Sequence, residues 1–235
     1  MYLGLALSSL SVNGRPATFS QDFRVAWADS HVRQLDGGRA IQLTLDQSSG
    51  CGFASKNQYL FGRVSMKIKL VPGDSAGTMI SDSFNIRDEL DFEFLGNGRD
   101  SPTPFKPMCT PTVKVTRSNG SISGSTPLLI STLTPSFGTI TTSCKFSVDE
   151  VPIRVYKNNE GRGIPYPKFQ PMGVYSTLWE ADDWATRGGL EKINWSKAPF
   201  YAYYKDFDIE GCQVPGPATC ASNPRNWWRA QPISS

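Results

Sequence analysis

The sequence predicts an all-β protein folded as an antiparallel sandwich. Three observations carry that prediction. Short segments alternate apolar and polar residues with the period of two that a half-buried strand requires: Phe23-Arg24-Val25-Ala26-Trp27, Ile41-Gln42-Leu43-Thr44-Leu45, and the stretch from Phe61 to Leu70. Turn residues punctuate them closely, as at Asp36-Gly37-Gly38 and Pro72-Gly73-Asp74. No long segment repeats its apolar residues at the helical period. A chain of 235 residues is long enough to bury the core of one sizeable domain.

In chain order, Met1 to Val12 holds a short apolar run, Tyr2–Leu10, and residues 1–13 are expected to be the remnant of a secretory signal, although a basic leading segment is missing. No other run approaches the roughly 18 apolar residues needed to cross a membrane. A net charge of +3 with no basic cluster argues against nucleic acid as a partner. With 39% hydrophobic and 19% charged residues the composition is that of an ordinary globular protein. Six Trp are available either to the core or to flat ligands such as sugar rings.

After the strand ending at Leu70, Gly73-Asp74-Ser75-Ala76-Gly77 fits the G-x-S-x-G pattern of a serine nucleophile elbow. Such a serine needs a base, and His31 is the one histidine. The elbow also needs a helix after it, and no helical pattern follows. A turn between strands is the simpler reading.

The next element is the chemically unusual one. From Glu89 to Phe94 the chain alternates acid and apolar residues without exception: Glu89-Leu90-Asp91-Phe92-Glu93-Phe94. On a strand, Leu90, Phe92 and Phe94 share one face and Glu89, Asp91 and Glu93 the other. Three carboxylates on one face repel each other. Glycoside hydrolysis makes use of such crowding, because it needs one ionised and one protonated carboxyl beside the scissile bond. Three roles follow: Glu89 as nucleophile, Glu93 as acid/base, and Asp91 between them tuning Glu89. Residues i and i+4 have Cα atoms about 13 Å apart, so the two glutamates must lean together over a concave sheet to reach the ~5–5.5 Å of a retaining pair. The alternative is an edge strand whose acids simply face water.

Of the five cysteines, Cys51, Cys109, Cys144, Cys212 and Cys220, none forms a CxxC, and with one histidine no metal site is expected. Cys212 and Cys220 bracket a Pro/Gly loop, which suits either a disulfide or two unpaired thiols. Asn194-Trp195-Ser196 is a weak glycosylation sequon at Asn194.

The chain resembles the plant xyloglucan endotransglucosylase/hydrolases of glycoside hydrolase family 16. The residues that carry the resemblance are Tyr59-Leu60-Phe61-Gly62-Arg63, the run from Lys69 to Thr78, Asp88 to Gly96, and the block from Phe146 to Gly211 with Leu178-Trp179-Glu180-Ala181-Asp182-Asp183-Trp184-Ala185-Thr186-Arg187-Gly188-Gly189. The resemblance implies an antiparallel β-jelly-roll sandwich with a concave glucan-binding cleft, spanning residues 14–210. It aligns Glu89 with the family nucleophile and Glu93 with its acid/base. Trp179, Asp183, Trp184 and Gly188 then belong to the glucan site, the last three lining the acceptor side. For Trp179 and Trp184 core packing is the competing assignment. The implied activity is retaining transfer of xyloglucan to another xyloglucan chain, or to water, by a secreted monomer of the plant cell wall. No cofactor, nucleic acid or membrane takes part.

Three departures from the family pattern stand out. The chain is shorter than relatives between Thr78 and Arg87. Residues 211–235 correspond to a truncated C-terminal extension, without the family's later Arg and further disulfide. Residues 99–145 are about half Ser, Thr or Pro and contain no Trp, Tyr or Glu, as in a low-complexity linker. Codons allowed for Arg99 to Lys114 and for Thr134 to Ile140, read in a shifted frame, spell family-like segments such as Leu-Gln-Thr-Asn. The block is therefore expected to be family sequence out of frame. Read literally, it would deprive neighbouring strands of apolar partners and leave the protein poorly folded or inactive. Cys109, Cys144 and the sequon at Asn119 would then be accidents.

Overall fold

The computed structural model describes residues 18–81, 89–96, 108–114, 121–123, 126–127, 132–133, 135–139, 142–167 and 171–216, and at Ser81, Glu89, Asp91 and from 108 to 139 the backbone alone. The candidate signal remnant, Cys220 and residues 217–235 lie outside these.

One helical turn, Phe19–Asp22, leads into the strands. They run β1 Phe23–Trp27, β2 Val32–Leu35, β3 Ala40–Leu45, β4 Cys51–Ser55, β5 Gln58–Lys69, β6 Thr78–Ser81, β7 Glu89–Leu95 and β8 Met108–Lys114. They continue as β9 Ser121–Ser123, β10 Thr126–Pro127, β11 Thr132–Leu133, β12 Pro135–Thr139, β13 Ser143–Val148, β14 Val151–Lys157, β15 Tyr175–Glu180 and β16 Phe200–Val214. The strands read from alternation, β1, β3 and β5, fall where the sequence places them, and Asp36–Gly38 forms the turn between β2 and β3.

Two antiparallel sheets result. The first has the order β1-β4-β15-β6-β7-β8-β10, with β9 beside β8. The second has the order β14-β13-β12-β5-β16-β3-β2, with β11 beside β5. Neighbours come from distant parts of the chain, as where β15 lies between β4 and β6, the jelly-roll habit of interleaving both halves of a sequence.

The core lies between the inner faces. Phe53, Ile80, Phe94 and Leu178 from the first sheet meet Ile41, Leu43, Val64, Ile68 and Tyr204 from the second. Phe53 is the hub, with ring centroids 5.7 Å from Phe19, 5.4 Å from Phe23, 5.2 Å from Tyr204 and 6.0 Å from Phe207. Each such ring buried contributes roughly 1.5–3 kcal/mol. Tyr204 is fully buried, and its hydroxyl accepts a 2.8 Å hydrogen bond from Ser176 Oγ of the opposing sheet. Burial, with a smaller contribution from Cys51, holds that phenol well above its ordinary pKa.

The expectation that residues 99–145 would leave neighbouring strands without cross-strand neighbours is corrected at the level of the backbone. β8 pairs with β7 along its whole length, from Glu89↔Lys114 to Leu95↔Met108. β12 lies between β5 and β13. Ladder hydrogen bonds use backbone groups that nearly every residue supplies, so pairing survives a composition without apolar alternation. Cys144, also expected to be incidental, is a buried thiol donating to the Tyr166 hydroxyl at 3.4 Å.

Phe53→Ala is expected to cost about 3–5 kcal/mol, because four neighbouring rings cannot collapse into the space it leaves. Urea denaturation read by tryptophan fluorescence measures this. A cost below about 1 kcal/mol would show that Phe53 is not the hub of the core.

Candidate active site

β7 carries the acid-apolar alternation into the middle of the first sheet. Its apolar parity packs inward: Phe94 belongs to the main core, and the partly buried Leu90 and Phe92 pack on the cluster of Cys144, Phe146 and Tyr166. Phe92 stacks on Phe94 at 5.8 Å and meets Phe146 edge-on at 5.4 Å. Glu89, Asp91 and Glu93 occupy the other parity of the same strand. The alternative of a water-facing edge strand does not hold, because β7 has β6 on one side and β8 on the other.

Glu93 is half-buried, and burial raises its pKa above the ordinary carboxylate value. A carboxyl in that state keeps its proton to higher pH, as a general acid must. The side chains of Glu89 and Asp91 lie outside the described residues, so β7 fixes their backbone positions and sequence parity only.

The face shared by Glu93 can be followed across the sheet by register. Leu95 pairs with Met79 and Met79 with Trp179. These three pack together with Ala181 and Ala185, outside the main core. Trp179 thus stands two strands from β7, about 10 Å away, and one same-face step further along it than Glu93. Its ring lies 6.4 Å from that of Trp184, which is exposed. Core packing therefore does not account for Trp184. Asp183 and Gly188 are also exposed and lie in the same loop.

That loop, residues 181–193, is built to hold a fixed shape. Asp182 Oδ1 accepts from the Ile193 amide at 2.7 Å, and Lys192 Nζ donates to the Asp182 carbonyl at 2.6 Å. Arg187, Gly188 and Gly189 take left-handed backbone angles in succession, with φ of 56°, 68° and 82°. A Cβ on Gly188 would meet nothing within 4 Å, so glycine there answers the backbone angle and not the space.

No local sequence pattern marks the residue that ties this loop to the acidic strand. Thr186 is buried; its hydroxyl donates to the Gly96 carbonyl at 2.8 Å and accepts from the Gly77 amide at 3.0 Å. Gly96 ends β7, and its own amide donates to the Thr78 carbonyl at 2.8 Å. A Cβ on Gly96 would fall 1.6 Å from the Ser75 carbonyl oxygen, so the chain can close there only with glycine. The glycines were visible as the ends of motifs. A threonine bridging two of them has no local pattern.

Other assignments resolve differently. Ser75 is buried, a strand follows Gly77 where an elbow needs a helix, and His31 Nε2 sits 3.1 Å from an Asp46 carboxylate oxygen. The serine-hydrolase alternative is thereby dropped. Asp74, the neighbour of Ser75, pairs with Lys197. Asn194 is exposed, and its Oδ1 caps the Trp195–Lys197 turn by accepting from the Ser196 amide at 3.1 Å. Cys212 is buried and disulfide-bonded, while Cys220 lies outside the described residues.

Comparison with known proteins fits this arrangement. The family model for glycosyl hydrolases family 16 matches residues 19–107 and 140–197. The chain is 62% identical over 227 residues to probable xyloglucan endotransglucosylase/hydrolase protein 7 of Arabidopsis thaliana, covering 92% of this chain and 75% of the relative. It is 59% identical over 243 residues to protein 6 of the same series and organism, covering 98% and 80%. Among solved structures, the Bacillus licheniformis beta-glucanase superposes with a TM-score of 0.59 at 20% identity, covering 83% of this chain and 91% of that one, a likeness of fold. The chain belongs to glycosyl hydrolases family 16 and, within it, to the xyloglucan endotransglucosylase/hydrolases.

Proposed function

We propose that this protein cleaves the β-1,4-glucan backbone of xyloglucan with retention and passes the glycosyl group to a second xyloglucan chain or to water. The observation that carries the reading is the two-faced strand β7. Its aromatic parity is locked into the core, and its acidic parity lies on the sheet face that also presents Trp179.

The mechanism follows from two carboxyls with unlike charge. Glu89 attacks the anomeric carbon as a carboxylate, and the bond to the leaving oxygen breaks while Glu93 gives that oxygen its proton. A glycosyl-enzyme ester on Glu89 remains. A sugar hydroxyl then loses its proton to Glu93 and attacks the same carbon, which releases Glu89 and restores both groups. Asp91, between them in sequence, tunes Glu89. Burial of Glu93 supports its role, since a desolvated carboxyl is the one that stays protonated. Asp183, Trp184 and Gly188 form the acceptor side, with Trp179 also contacting the glucan, and the Thr186 bridge ties that loop to the end of β7.

Pairing of Cys212 with Cys220 would suit the oxidising exterior of a cell, and we place the protein in the plant wall space, secreted by way of residues 1–13 and acting as a monomer. We also retain the shifted-frame origin of the anomalous block within 99–145. The family match stops at residue 107 and resumes at 140, which supports a core of 108–139 for it. Sequencing the transcript across these codons checks the assignment, and codons incompatible with the shift end it.

Glu89→Ala and Glu93→Gln should each reduce transfer of xyloglucan to a labelled oligosaccharide by about 10²–10⁴-fold. Binding of the polysaccharide should persist. Wild-type protein that binds the polymer without turnover, indifferent to Glu89→Ala, would instead make this a non-catalytic glucan-binding jelly roll.

Glu93 also predicts a pH signature. Its folded pKa is raised, so the folded protein holds a proton that the unfolded chain releases. The associated stability is complete below the unfolded pKa and declines as pH rises through the folded pKa. Glu93→Gln should remove this decline, so the variant gains on wild type as pH rises through that window, as read by urea denaturation at a series of pH values. Parallel curves would show that Glu93 is not desolvated.

Thr186→Val keeps the shape and removes the hydroxyl. It should cost about 1–3 kcal/mol by leaving the Gly77 amide and Gly96 carbonyl without their partner. Transfer to acceptor should fall more than binding of donor. An equal fall in both would reduce Thr186 to a purely structural role.

A further inference from the structure

The row of residues that contains Glu93 continues across the sheet to its far edge. Continued by one residue, the register that pairs Met79 with Leu95 and Ile80 with Phe94 sets Ser81 of β6 opposite Glu93. Ser81 pairs with Thr177 of β15, Thr177 with Gly52 of β4, and Gly52 with Trp27 of β1. Four strand spacings separate the ends of this row, about 19 Å.

Trp27 stands out at that end. It is 41% exposed, although it lies on a sheet whose neighbouring strand β4 is buried throughout. The indole is seated above a glycine. A Cβ on Gly52 would come within 2.7 Å of Trp27 Nε1 and 2.9 Å of Thr177 Cγ2, so any larger residue at 52 would push the ring off the sheet. The backbone beyond Trp27 is also fixed. Ala28 takes a left-handed φ of 51° and packs on the core, and its carbonyl accepts from the His31 amide at 2.9 Å. His31 is in turn held by Asp46 at 3.1 Å, and its carbonyl by the Cys51 thiol at 3.3 Å.

We propose that Trp27 is a remote sugar platform, on which a ring of the glucan backbone stacks when the chain extends from Glu93 across β6, β15 and β4 to the edge of the sheet. This rests on the reading of the Glu93 face as a glucan cleft. The site takes an extended β-1,4-glucan, because the row is several sugar rings long and the positions between its ends, 81, 177 and 52, are occupied by the small residues Ser, Thr and Gly. A fixed indole loses little freedom on binding, which is the condition under which an exposed aromatic contributes to affinity. A stacked ring of this kind contributes a factor of roughly three to ten. Its contribution depends on length, since a short oligosaccharide at Glu93 never reaches it.

The test compares Trp27→Ala, Trp27→Phe and wild type on polymeric xyloglucan and on short xyloglucan oligosaccharides. Trp27→Ala should weaken binding of the polymer, and raise its KM, roughly three- to tenfold. Turnover of short oligosaccharides should stay unchanged, and Trp27→Phe should recover most of the loss. Should Trp27→Ala fail to fold, the Trp27→Phe and wild-type length dependence decides, because the flat ring keeps the site. Equal affinity of Trp27→Ala and wild type for the polymer, with wild type active, overturns the platform alone. Equal losses on polymer and short oligosaccharide overturn it too. Wild type that neither binds nor turns over either glucan brings down the cleft assignment along with it.

Discussion

Everything at the site depends on one constraint, that β7 has two unlike faces and cannot exchange them. A slip of one residue would carry three carboxyls into the core and three apolar side chains out. Burial of Phe94 in the core and packing of Phe92 against Phe94 and Phe146 prevent it. Each buried ring contributes roughly 1.5–3 kcal/mol, against roughly 0.2–1 kcal/mol for a like-charge pair on the opposite face. The aromatic side wins, so acids can be crowded on a central strand without unseating it. On the acidic face, burial raises the proton affinity of Glu93.

Much of this could be read in the sequence, because a period of two is local. Parity tells which side chains share a face, and β1, β3, β5 and β7 followed from parity alone. Partner choice is not local. That β15 should lie between β4 and β6, or β16 between β3 and β5, depends on which faces find each other after collapse. For the same reason the motif around Trp179 and Trp184 was legible as a motif, while Thr186 inside it was not. Its importance comes from Gly77 and Gly96, 109 and 90 residues away. Trp27 was visible only as the end of a strand. Its position opposite Gly52, and the row from there to Glu93, exist only in the assembled sheet.

The anomalous block shows where parity stops being informative. A composition rich in Ser, Thr and Pro predicts a linker, yet the chain there lies in ladder with β7 on one sheet and with β5 and β13 on the other. Low complexity describes side chains, whereas an antiparallel ladder is made by the backbone. A sheet that already has well-defined neighbours offers edges that such a segment can complete.

The two flanks of β7 therefore hold it by different means. On the β8 side the attachment is a ladder, from Glu89↔Lys114 to Leu95↔Met108, to which Pro111 cannot donate. On the β6 side the ladder is supplemented by fixed chemistry: the Gly96 amide on the Thr78 carbonyl, Thr78 Oγ1 on the Ser75 carbonyl at 2.8 Å, and the Thr186 hydroxyl between Gly96 and Gly77. These bonds converge on the end of the strand nearest Glu93, and a glycine there admits no side chain that would loosen them. The geometry of Glu93 relative to the loop bearing Trp184 is thus set from the β6 side and from the core beneath. β8 has only to keep the strand from being an edge, a task that makes few demands on its sequence.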